Sequence, residues 1–102
     1  MPQLGAALTG SNTSSTFRVT NPCDVHITIT GTFNSQTVTM KQCLDGANGT
    51  FVDFTADGTA VTFTANNNRK FDLPAGWYRF TADGVTSVII DVDGKSINLS
   101  NL

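Results

Sequence analysis

The chain reads as an all-β protein: an antiparallel β-sandwich, immunoglobulin-like or jelly-roll-like, with an extended N-terminal arm. Three observations predict this. Short alternating or β-branched runs are separated by turn signals at roughly the spacing of sandwich strands. No segment carries the apolar stripe of a helix. The polar surface is built from Thr, Ser and Asn, with only 14% charged residues against roughly a quarter in an average domain, and β-branched Thr suits a half-exposed pleat. At 102 residues the chain is one domain, long enough to bury a core without metal or disulfide staples.

Residues 1–16, MPQLGAALTGSNTSST, have neither strand nor helix periodicity. They are expected to be either a disordered terminus or an arm that orders on a partner, with Leu4, Ala6, Ala7 and Leu8 as its apolar contacts. The sandwich domain is assigned to residues 17–102. Phe17–Thr20 is a strand ending at Asn21-Pro22. Asp24–Phe33 alternates, with Val25, Ile27 and Ile29 on one face and His26, Thr28 and Thr30 on the other. Gln36–Leu44 follows Asn34-Ser35 and alternates likewise. After breaks at Asp45-Gly46 and Asn48-Gly49 come Thr50–Ala56, Ala60–Ala65 beyond Asp57-Gly58, and Arg69–Leu73 beyond Asn66-Asn67-Asn68.

Residues 71–94, FDLPAGWYRFTADGVTSVIIDVDG, organise the C-terminal half. Pro74-Ala75-Gly76, Asp83-Gly84 and Asp93-Gly94 each supply turn chemistry: a preset φ, tolerance of positive φ, or an Asx bond. The local pattern predicts a meander of Phe71–Leu73, Trp77–Ala82 and Thr86–Val92, with Lys95–Leu99 behind it.

Chemistry is sparse. A two-residue hairpin loop at Asn34-Ser35 sets Val25 opposite Leu44 and Ile29 opposite Met40, which gathers the apolar side chains. Cys43 then faces His26 on the polar side and Cys23 lies on the apolar side, so free thiols are expected rather than a disulfide. His26 beside Cys43 falls short of the ligands zinc requires. Asp91-x-Asp93-Gly94 resembles a fragment of a calcium loop, but the chain has no Glu to close one; a hairpin turn explains it. There is no nucleophile motif near the lone His26 and no phosphate loop. Hence no enzyme, no cofactor and no metal site are expected. A net charge of −2 and scattered cations argue against nucleic acid as partner. No apolar run is long enough to span a bilayer, and the N-terminus lacks the pattern of a signal peptide.

Trp77 and Arg79 are the candidate contact residues. They share the face of their strand opposite to Tyr78 and Phe80, and an outward Trp/Arg pair combines two residue types enriched in interface hot spots. Otherwise Trp77 caps the end of the core.

Three segments carry a family resemblance: Gly31-Thr32-Phe33 with Thr37-Val38-Thr39-Met40, Asp45 through Val52, and Leu73-Pro74-Ala75-Gly76-Trp77-Tyr78-Arg79-Phe80. Together they resemble small β-sandwich structural proteins of tailed bacteriophage virions, over about residues 24–92. The chain departs from that pattern in having Phe51 where Trp is common, and in its cysteines. The resemblance implies a non-enzymatic virion component, best matched by capsid decoration (cement) proteins. These bind the major capsid protein on the capsid surface, commonly as homotrimers, after synthesis in the host cytoplasm. Leu4, Leu8, Trp77 and Arg79 are then the expected partner contacts. The alternatives are another virion part, such as a head–tail connector or fibre domain, and a carbohydrate-binding or adhesin-like module.

Overall fold

The computed structural model of the chain describes residues 3–45 and 49–99; Gly46 and Asn48 of the expected central turns lie outside them. The strands are β1 (Leu8–Gly10), β2 (Phe17–Val19), β3 (Cys23–Thr32), β4 (Val38–Cys43), β5 (Val52–Asp53), β6 (Thr55–Ala56), β7 (Thr59–Ala60), β8 (Thr62–Phe63), β9 (Asn67–Leu73), β10 (Gly76–Ala82), β11 (Val85–Gly94) and β12 (Ile97–Leu99). A first sheet has the order β1-β11-β3-β9. A second has β12-β2-β10-β4, with β5 and β8 each pairing part of the free edge of β4. The β6–β7 hairpin projects between those two. All pairings are antiparallel.

Every link from β1 to β4, and again from β8 to β12, crosses from one sheet to the other. Between them, β4, β5 and β8 belong to the second sheet, with the separate two-stranded β6–β7 hairpin inserted between β5 and β8. That alternation is the strand order of a jelly roll, in which two Greek keys fold over one another. An immunoglobulin-type sandwich keeps several sequential strands side by side instead.

This topology corrects the expected meander, since β9 and β11 lie in the first sheet and β10 and β12 in the second. It also corrects the expected β3–β4 hairpin. Asn34 and Ser35 do take positive φ, and Gln36 N–H donates to Phe33 C=O at 2.9 Å, so the tight turn forms. Residues 33–37 then carry the chain across the gap between sheets, about 10 Å in a sandwich. Turn chemistry fixes where a chain reverses, not which sheet receives the next strand. The turn expected at Asp93-Gly94 lies one step further on, because β11 runs through Gly94.

The alternating apolar residues meet between the sheets. Val25, Ile27 and Ile29 of β3 and Val88, Ile90 and Val92 of β11 face Phe17, Val38, Met40, Tyr78 and Phe80 of the second sheet, and all are buried. Each such side chain stabilises the fold by about 1.5–3 kcal/mol relative to exposure. Phe17 stacks on Tyr78 at 5.4 Å. Phe54 sets its edge against both Phe71 (5.8 Å) and Tyr78 (6.0 Å), tying the sheets together. The Tyr78 hydroxyl donates to Pro74 C=O at 2.7 Å. Burial, with the nearby Cys23 as a lesser cause, pushes its pKa up to about 12. Gly31 is required where β3 meets β11: its φ is 144°, and a Cβ there would sit 2.1 Å from Ser87 C=O.

From Gln3 onward the N-terminal segment runs along both sheets. Gln3 bridges to Asp91, Leu4 N–H donates to Ile90 C=O at 2.7 Å, and β1 pairs with β11. The segment then crosses to the second sheet. There Ala82 N–H donates to Asn12 C=O at 2.7 Å and Ser14 N–H to Phe80 C=O at 2.8 Å, while Ser14 Oγ accepts from Phe80 N–H. Leu4 and Leu8 are buried to within 1% and 3% of full enclosure. A segment with only two large apolar residues gains more from covering the open margin of a sandwich than from remaining in water.

Candidate docking face

The second sheet turns Phe17, Val19, Val38, Met40, Tyr78, Phe80 and Leu99 inward and carries the alternate residues on its outer side, where Arg18 is exposed, Trp77 and Arg79 are half-buried and Cys43 is buried. Directly opposed residues on antiparallel strands share a face, so the registers define the rows of the outer surface. One row runs Asn98, Arg18, Trp77, Cys43 across β12, β2, β10 and β4. The next runs Arg79, Lys41, Asp53 across β10, β4 and β5. A third is Thr81, Thr39, Thr62.

Trp77 and Arg79 share this face, both half-buried, and each stacks with a partner other than the pair anticipated. The Arg18 guanidinium lies over the Trp77 ring at 4.8 Å, reaching across from β2. The Arg79 guanidinium lies over the Phe51 ring at 3.9 Å. Such contacts favour cations held partly out of water. Lys41 pairs with Asp53 on the same face. Neither arginine has a carboxylate partner among the described residues, and Arg79 Nε is buried without a hydrogen-bond acceptor. Leu44 and Val52 are more than half exposed at the edge of the sheet, but Val52, opposite Gln42 and so on the side of Tyr78, does not belong to this outer face. Two stacked aromatic–cation pairs, three cations and one carboxylate thus occupy one side of a chain whose net charge is −2.

Leu4 and Leu8 do not reach this face; they belong to the core. Sequence reasoning missed Arg18, Lys41 and Phe51. Arg18 carried a readable signal, since it alternates with the apolar Phe17 and Val19 and so had to point outward. Its position beside Trp77 needed the β2–β10 register, which no local pattern specifies.

The remaining candidates separate. Cys23 lies opposite Leu73 in the first sheet and Cys43 opposite Trp77 in the second, and both thiols are free. His26 sits between Lys70 and Asp93, not beside Cys43. Among the described residues no three His, Cys or Asp side chains gather closely enough to hold a metal ion. A shallow cleft at one end of the sandwich, lined by Phe33, Asn34, Ser35, Thr64 and Asn66, has no charged group. No protein-family model, no curated protein and no solved structure matches the chain, so any reading of this face rests on its own residues.

Proposed function

We propose that the protein is a non-enzymatic structural subunit of a virion: a capsid decoration (cement) protein that docks through the outer face of its second sheet. One observation carries the reading. Arg18, Trp77, Phe51 and Arg79 form a preassembled aromatic–guanidinium surface on an otherwise acidic chain, and two guanidiniums there await carboxylates. Trp and Arg in a partly desolvated setting are the groups that dominate binding energy at protein interfaces. The partner chemistry that fits is an acidic, locally apolar protein surface, here the exterior of the major capsid protein. The sequence resemblance to phage virion proteins supports the same choice. It also supports a trimeric arrangement over threefold positions.

Bridging adjacent capsomers makes the later contacts of an oligomer effectively intramolecular, so each copy needs only modest affinity. Glycan stacking is less well supported, because Arg18 already covers the Trp77 ring. The test is to pellet capsids from the protein's own source with purified protein and to count bound copies. Hundreds per particle are expected. A handful would assign it to a connector or tail, and none would overturn the virion reading.

A further inference from the structure

The other outer face has the opposite character. On the first sheet, Asp24, His26, Thr28 and Thr30 of β3 lie between Asn68, Lys70 and Asp72 of β9 and Ile89, Asp91 and Asp93 of β11. Four carboxylates face one lysine and one histidine there. The two sheets of a sandwich present these surfaces in opposite directions.

Each face also contains a like-charge pair at directly opposed positions: Asp24 with Asp72 on the first sheet, and Lys41 with Arg79 on the second. Such pairs destabilise an isolated sheet. Lys70 lies 3.9 Å from Asp24, and Asp53 pairs with Lys41, which among the described residues leaves Asp72 and Arg79 as the uncompensated members. The surplus on one face is the complement of the surplus on the other.

We propose that a second copy of this chain is a partner of both faces: the basic, aromatic face of one molecule seats on the acidic, threonine-rich face of the next. Arg18 and Arg79 meet Asp72 and Asp93. The contact is heterologous, and because its two halves point in opposite directions it does not close into a ring. It yields short open stacks, distinct from the closed trimer of the docking proposal. Stacking and docking use the same basic face, so they compete. Being charge-driven, the stack is sensitive to salt.

Sedimentation velocity on the full chain tests this. At about 10 mM salt, where screening reaches only beyond roughly 30 Å, the weight-average sedimentation coefficient should climb steadily with protein concentration; at about 1 M it should stay flat. Two double variants provide the decisive arm. R18E/R79E makes both faces acidic, and D72K/D93K makes both basic, so each alone should remain unstacked at low salt. An equimolar mixture should stack again. Circular dichroism of each variant establishes that it is folded, and R18E with D93K repeats the mixing experiment with milder changes. A species of constant mass at every salt and concentration, whether monomer or trimer, would overturn the proposal, as would a mixture of folded variants that fails to associate. Failure of stacking leaves capsid docking separately measurable, since D72K/D93K retains the whole docking face.

Discussion

The two outer faces of this sandwich are made by the same strand grammar and end with opposite chemistry. On the first sheet the outward positions of β3 are Asp, His and Thr, and its neighbours add Asn, Asp, one Lys and one Ile. On the second, the outward positions of β2, β4 and β10 are Arg, Lys, Trp and Thr. The inward positions of both are interchangeable Val, Ile, Leu, Met and aromatic residues. The interior therefore specifies that two sheets pack, while the alternate positions specify what each presents. A face of Thr and Asp is well solvated, whereas a Trp and a Phe held under guanidiniums are only partly hydrated and stand to gain from being covered.

The comparison can be broken most severely at the margin of the first sheet. If the N-terminal segment belongs to the interior, Leu4→Ala and Leu8→Ala should each cost about 2–5 kcal/mol in chemical denaturation. A mobile docking arm would leave stability unchanged and weaken binding instead. Gly31→Ala follows, with a loss of at least about 1–3 kcal/mol from positive φ and the clash with Ser87; thermal melting reads it directly. On the second sheet, Trp77→Ala with Arg79→Ala should weaken capsid attachment by about 2 kcal/mol or more, roughly thirtyfold. Asp72→Asn with Asp93→Asn should leave attachment unaltered.

A smaller effect comes from the interior that the faces share. The folded state holds the Tyr78 proton up to about pH 12, whereas the unfolded chain releases it near pH 10. The unfolded state thus binds fewer protons between those values, and this contribution to stability, complete below about pH 10, declines by about 1.4 kcal/mol per pH unit as pH rises to about 12. In Tyr78→Phe that slope should disappear from the alkaline titration of unfolding free energy, even though the variant starts lower for want of the Pro74 hydrogen bond. Lys41→Ala should do least, under about 1 kcal/mol, because its pairing with Asp53 is solvent-accessible.

The strands and the residues that face inward were legible because period-two alternation is written into each run, as in Val25, Ile27 and Ile29. Turn positions were legible where positive φ was needed, as at Asp57-Gly58. The sheet to which each strand belongs was not, since β3 followed by Asn34-Ser35 satisfies both a hairpin and a crossing between sheets. That ambiguity moved His26 away from Cys43 and put Arg18 beside Trp77. Leu4 and Leu8 misled for a related reason: two apolar residues in a polar segment look alike whether they cover a partner or the chain's own core. That Trp77 and Arg79 share a face was legible from alternation alone. Their stacking partners, Arg18 and Phe51, come from other parts of the chain and appear only once long-range pairing is known.

The claim that the second sheet carries the docking face is tested most directly by counting copies bound per capsid for wild type, R18E/R79E and D72K/D93K under one salt condition. Attachment should collapse for R18E/R79E and persist at wild-type occupancy for D72K/D93K. Full occupancy by folded R18E/R79E, with loss in D72K/D93K, would place the contact on the first sheet and contradict the account.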